Sequence, residues 1–200
     1  MSQSERIVRS YLEEARRSAC ANSFYPRGTV RCANSSLFRS ATARDVACLL
    51  DVDPDVTSWS CLPIELRAGS QYHVPDFEVI CTDTRYLLDV DQAPLWVTEA
   101  AASAGYDYRL DTYDLEKLSQ RLANARDLLR YATYNVSLGD KIRLLSLLDE
   151  YGPMSIKDCA PSIQNTSDPI GSIASMVLRR IVEMDLDDEP IGPDTRISRV

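Results

Sequence analysis

"QYHVPDFEVICTDTRYLLDVDQAP", residues 71–94, decides how the rest of the chain is read. It divides into two short apolar-rich runs joined by the polar turn "TDT". Each run reads as a β-strand. Each carries one aspartate among apolar neighbours, Asp76 in "VPDF" and Asp89 in "LLDVD". Two adjacent strands can set two carboxylates at one end of a sheet. Hard oxygen ligands of this kind suit Mg2+ or Mn2+. Such an ion can activate water and neutralise charge developing on a phosphodiester. Asp76 and Asp89 are therefore the candidate metal ligands. Asp91 and Gln92, just beyond the second strand, join them as candidate catalytic residues.

Working outward, residues 3–20 place Ile7, Val8, Tyr11, Leu12, Ala15 and Ala19 on one helical stripe. A second helix is expected over 41–51, stopped by Pro54. The period then shortens, and residues 56–90 read as three or four strands. "PLWVTEAAASAG" (94–105) is a helix ending at Gly105, and "YDYRL" is a short strand. "DTYDLEKLSQRLANARDLLRYA" (111–132) is a helix with Asp111 or Thr112 as its N-cap. After Tyr134 come an amphipathic helix stopped by Gly152-Pro153, a short helix in "SIKDCAPSI", and a third helix capped by Ser167 or Asp168. Two short strands about a Pro/Gly turn close the chain. Three helices and a hairpin follow the order of a winged helix. The expected organisation is an arginine-rich N-terminal helix and loop (1–34), an α/β domain with a mixed sheet flanked by helices (35–133), and a small winged-helix-like domain (134–200).

The chain is acidic, with a net charge of -8, which argues against avid, non-specific binding of nucleic acid by the whole molecule. The charge is uneven, however. Residues 1–45 hold eight arginines against four acids. Contact with nucleic acid through charge therefore favours Arg9, Arg16, Arg17, Arg27, Arg31 and Arg39, with Arg179 and Arg180 on the third helix of the C-terminal domain. On that helix Asp168, Ser172, Ser175 and Arg179 form a polar stripe. Aspartate and serines are poor readers of base edges, so protein contact ranks ahead of DNA reading there. The six cysteines are scattered without a CxxC pair and read as reduced, mostly buried thiols. His73, the single histidine, reads as a strand-edge residue, and Trp59 and Trp96 as packing residues. There is no GxGxxG and no Walker A, so nucleotide binding has no support. No apolar run approaches the roughly 20 residues of a membrane span. The N-terminus lacks a signal-peptide core. A cytoplasmic chain without a membrane partner is expected.

The succession "LLDVDPDVTSWSCLPIEL", "YHVPDFEV", "YLLDVDQAP", "GYDYRL" and "RLANARDLLRYA" resembles the TnsA-type transposon endonucleases, over roughly residues 35–200. The resemblance implies a PD-(D/E)xK restriction-endonuclease-like fold with a C-terminal winged helix. Asp76 then matches the metal-binding aspartate and Asp89 the second acidic or amide position. Asp91 stands where the family has a lysine. The family's glutamate on the preceding helix falls at Ala43, with Asp45 or Asp51 available only in a shifted register. The three lysines are Lys117, Lys141 and Lys157, so none precedes residue 117. An arginine cannot replace that lysine in proton transfer, because it stays protonated. Three aspartates close together would repel, and one carboxyl would be pushed up.

The reading is a catalytically weak or inactive subunit of a mobile-element or recombination system. It would bind DNA weakly on its own. A transposase, recombinase or AAA+ regulator would be its partner, and a homodimer is compatible with that role. The alternatives are an active metal-dependent endonuclease and a winged-helix transcriptional regulator.

Overall fold

A computed structural model describes residues 10–111 and 117–200. The chain forms two compact units. The first gathers residues up to Phe24, Arg31–Val46 and the segment from Pro54 through the strand that ends at Asp111. The second gathers Tyr25–Val30, Ala47–Asp53 and the chain from residue 117 onward.

In the first unit, α1 (Tyr11–Cys20) starts at Ser10, whose side chain accepts the Glu13 N–H, the usual N-cap bond. The part of the expected helix before residue 10 lies outside the described residues. Helix α2 spans Ala41–Val52, with residues up to Val46 in the first unit and the rest in the second. It buries Ala43, Val46, Ala47 and Leu50, an i, i+3, i+4, i+7 stripe. Five strands follow: β1 (Val56–Cys61), β2 (Leu66–Ala68), β3 (Gln71–His73), β4 (Phe77–Cys81) and β5 (Arg85–Val90). Helix α3 (Val97–Ser103) then leads to β6 (Asp107–Asp111). The main sheet has the order β1-β4-β5-β6. Its first two pairings are antiparallel, and β5 with β6 is parallel. A parallel pair needs a crossover, which α3 supplies. Strands β2 and β3 form a separate hairpin turned at Gly69, whose φ of 60° suits glycine.

Strand β5 is buried at every position after Arg85, as a central strand covered on both faces should be. On one side Leu66, Leu87, Val97 and Ala101 pack together. Trp59 stands edge-on to Phe77 at 5.7 Å, with Phe38 6.3 Å away. Trp59 is thus a packing residue, as its sequence setting predicts.

The second unit contains α4 (Ser119–Leu129), α5 (Leu138–Tyr151), β7 (Met154–Ser155), α6 (Ile156–Cys159), α7 (Pro169–Leu178), β8 (Val182–Met184) and β9 (Arg196–Arg199). A single turn of 3-10 helix, Ala160–Ser162, follows α6. The three strands form an antiparallel sheet in the order β7-β9-β8. Leu144, Leu148, Ile156, Ile173, Met176 and Ile197 anchor its core.

Two side chains tie this unit together. Asn124 of α4 donates to the carbonyls of Leu186 and Glu189 (2.9 and 2.8 Å) and accepts the Ile191 N–H (3.1 Å). Asp140 accepts from Ser137 and from the N–H groups of Gln164 and Asn165, and pairs with Arg143. Burial acts to raise the Asp140 carboxyl, but these donors outweigh it and hold it at about 2.

Several boundaries differ from those expected. Asp111 ends β6 instead of capping α4, which begins at Ser119, and Thr112 lies outside the described residues. The C-terminal unit also begins earlier than residue 134. The cause is long-range bonding: Asn124 reaches the 186–191 segment, and Ser175 of α7 donates to the Tyr134 carbonyl (2.7 Å). The expected polar stripe of α7 is covered in its middle, while Asp168 is half-buried and Arg179 exposed. Ser172 and Ser175 are buried, and Gly171 faces the Tyr131 ring.

Candidate functional site

The two aspartates of the opening stretch meet at one end of the central strand pair. Phe77 lies opposite Leu88, so one step further along the register Asp76 faces Asp89. Asp89 is fully buried and Asp76 is 7% exposed. The Asp76 N–H donates to Asp89 Oδ1 (3.2 Å), and the Val90 N–H donates to Asp76 Oδ2 (2.9 Å). Buried carboxylates need such donors, because an uncompensated charge is costly in a low-dielectric site.

Three side chains complete the cluster, and each comes from a different element. Arg39, just ahead of α2, donates from Nε to Asp76 Oδ1 (2.8 Å). Its Nη2 lies 2.7 Å from the same oxygen and 3.3 Å from Asp89 Oδ1. His73, the last residue of β3, places Nε2 2.7 Å from Asp89 Oδ2. Tyr108 of β6 donates its hydroxyl to that oxygen (2.9 Å). Trp96 stands edge-on to the His73 ring at 6.4 Å and closes that side.

The electrostatics follow from this packing. Burial pushes the Asp76 carboxyl above its ordinary value. The Arg39 charge and the Val90 N–H oppose that, and the Asp89 charge adds a smaller upward push. Burial, followed by the neighbouring Asp89 charge, pushes the Tyr108 phenol far up. Tyr108 is thus a fixed hydroxyl donor.

Asp91 does not join this cluster, although simple alternation along β5 would put it on the same face as Asp89. Its φ is 79°, so the strand has already ended. Asp91 and Gln92 are both exposed, and among the described residues no hydrogen bond links either side chain to the pair. The upward push on Asp76 therefore comes first from burial, not from a third carboxylate.

The oxygens that a divalent ion would use are engaged within the chain in this arrangement. All four carboxylate oxygens of Asp76 and Asp89 already accept from protein donors. The position facing both carboxyls is held by a guanidinium that is part of the chain. Among the described residues, no group of three or more His, Cys, Asp or Glu side chains is set to hold a metal ion. On α2, Ala43 is buried and its N–H is capped by the Ser40 hydroxyl (3.0 Å). Asp51 accepts the Val30 N–H within the second unit (3.2 Å).

The arginines expected to meet nucleic acid divide into several groups. Arg9 lies outside the described residues. Arg16 donates to the carbonyls of Leu62 and Pro63, which fixes α1 to the loop after β1. Arg39 belongs to the carboxylate cluster. Arg179 donates to the Ala132 carbonyl (3.0 Å) and to Ser175, and Arg180 donates to the Asp53 carbonyl. Arg31 contributes its carbonyl to the Trp59 N–H (3.0 Å) and is half-buried. Arg17 and Arg27 are exposed. Sequence reasoning does not place His73 or Tyr108 in the site. Their only sequence signals are a lone histidine three residues before Asp76 and a tyrosine on the next strand.

Fold and site together define a mixed α/β protein with a closed carboxylate–guanidinium cluster at the end of its central strands. Compared with known proteins, the chain matches no family model and no curated sequence. No helix among the described residues is long and apolar enough to cross a membrane.

Proposed function

We propose that this chain is a non-cleaving, endonuclease-like subunit of a DNA recombination or mobile-element system, one that binds DNA or a protein partner. The observation that carries the reading is Arg39 seated against both Asp76 and Asp89. The β1-β4-β5-β6 order, with two antiparallel pairings and a parallel fourth strand, and the paired aspartates at one sheet end support this reading. At the point where such a sheet would bind Mg2+ or Mn2+, this chain supplies its own cation. An arginine cannot take a proton from water, and a guanidinium bound to the ligands competes with any metal for them. The motif lysine is also absent.

The element order and the β7-β9-β8 sheet of the second unit fit a winged helix. A role as a sequence-reading regulator is less well supported, because α7, in the position of the reading helix, is buried along seven of its ten residues. That favours a structural or protein-contacting part for this unit. A transposase, recombinase or AAA+ regulator suits such a subunit as partner.

The deciding experiment is a nicking assay on supercoiled DNA with Mg2+ and then Mn2+. No cutting above background is expected, alone or with Asp76→Ala. Robust cutting that disappears in Asp76→Ala would overturn the proposal in favour of an active endonuclease.

A further inference from the structure

We propose that the second unit carries a binding cleft for single-stranded nucleic acid, between the 25–28 loop and the C-terminal end of α4. An open cleft of about 750 Å3 lies there, lined by Tyr25, Arg27, Gly28, Arg126, Arg130 and Thr133 among others. This volume falls in the range of pockets that take nucleotide-sized ligands and exceeds what a lone inorganic anion would fill. None of the described residues that line it is acidic, although the chain as a whole has a net charge of -8. Three guanidiniums around one cleft make it a locally basic site on an acidic protein. Arg126 and Arg130 are four residues apart and so lie on the same face of the end of α4. Arg130 touches Asp127 at 3.2 Å, with both side chains largely exposed. Such a surface pair is weak and readily exchanged for a phosphate.

The aromatic wall points to a strand with unpaired bases. Tyr25 is 73% exposed, an unusual state for an aromatic side chain, and the Arg27 guanidinium lies over its ring at 5.2 Å. An exposed aromatic ring beside arginines is the combination that stacks a base while neutralising its phosphates. A duplex, with its bases already stacked, would use the arginines but not the ring. The loop is also held in place. A Cβ at Gly28 would lie 2.6 Å from Ala132 Cβ and 2.7 Å from the Leu129 carbonyl oxygen, so the loop backbone sits directly on the end of α4. Sequence reading placed Arg27 near nucleic acid. Arg126, Arg130 and Tyr25 come only from the fold.

This inference rests on the proposed DNA-handling role but not on the state of the carboxylate cluster, so the two can fail separately. Cutting in the nicking assay would overturn the non-cleaving reading and leave the cleft standing.

The test is fluorescence anisotropy of the full chain with a labelled single-stranded oligonucleotide across a salt series, beside the matching duplex. The expected slope of log affinity against log salt is about -2, as for three phosphate contacts on a single strand. Arg126→Gln with Arg130→Gln should weaken binding about tenfold or more and bring the slope to about -0.7. Tyr25→Ala should cost about tenfold, and Tyr25→Phe should bind like the wild type. All these positions are exposed, and Arg196→Gln with Arg199→Gln serves as a control for net charge. Lack of binding at low salt, or a loss in the double variant no greater than in this control pair, would overturn the site. Duplex binding tighter than single-strand binding would overturn its assignment to an unpaired strand.

Discussion

Replacing Arg39 by glutamine removes the guanidinium that lies against both buried carboxylates. In the wild type it sits 2.7 Å from Asp76 Oδ1 and 3.3 Å from Asp89 Oδ1. Breaking a fully buried ion pair leaves an uncompensated charge and costs about 3–5 kcal/mol. The Arg39 side chain is 35% exposed, so water can reach the vacated position and part of that loss is recovered. A destabilisation of about 1–3 kcal/mol is therefore expected at neutral pH. For a chain of this length that lowers the melting temperature of the affected transition by about 3–10 °C.

The pH dependence has a definite sign. The Asp76 carboxyl is already raised above 3.8 by burial, with Arg39 opposing the rise. Without Arg39 it rises further. A raised folded value favours the folded state at low pH and loses that advantage as pH climbs through it. The deficit of Arg39→Gln should thus be largest at pH 7 and shrink toward pH 4. The variant should also open a site for a divalent ion. Millimolar Mn2+ should raise its melting temperature, because two carboxylates now face an open position. Differential scanning calorimetry with and without Mn2+ reads both effects. An equal Mn2+ shift in the wild type, or unchanged stability of the variant at pH 7, would refute the view that arginine replaces the metal.

Three further outcomes probe the second unit. Asn124→Leu strands the carbonyls of Leu186 and Glu189 and the Ile191 N–H, so urea denaturation should show a loss of about 2–4 kcal/mol. Asp140→Asn should cost about 1–3 kcal/mol at pH 7 through its weakened hydrogen bonds. The Asp140 carboxyl lies at about 2 in the folded chain against an ordinary 3.8. Its contribution is therefore full above about pH 4 and fades as pH falls through about 2, so the wild type and this variant should converge in acid. Gly171→Ala would bring a Cβ to within 2.8 Å of the Tyr131 ring. It should destabilise by about 1–3 kcal/mol despite alanine's better helix propensity, and thermal melts would expose a stabilising result.

The readable part of the fold lay in short-range pattern. Alternating and continuous apolar runs announced β4 and β5, because burial on one face imposes that period wherever the partner lies, and Pro54 marked where α2 stops. The Asp76–Asp89 pairing was legible for the same reason: a three-residue turn between two strands leaves few registers. Asp91, singled out as standing at the family's lysine position, lies apart from the pair because β5 ends one residue earlier. The polar stripe of α7 misled because serine is small enough to be buried when a carbonyl is at hand, as Tyr134 provides for Ser175.

The sequence by itself determined strands β4 and β5, the main helices, the two aspartates at one sheet end, and the missing lysine. Tertiary structure alone decided what occupies the site. Arg39 is 37 residues from Asp76 and 50 from Asp89, and Tyr108 is 19 from Asp89. Local periodicity carries no information about which distant side chain will fill a given polar vacancy. That choice is made when the sheet and helices pack, since a buried carboxylate must find donors and takes them from whatever element lies within reach. The chain's arginines read as one basic surface when counted along the sequence. Folding divides them, with Arg39 closing the carboxylate site and Arg27 left at the rim of a cleft.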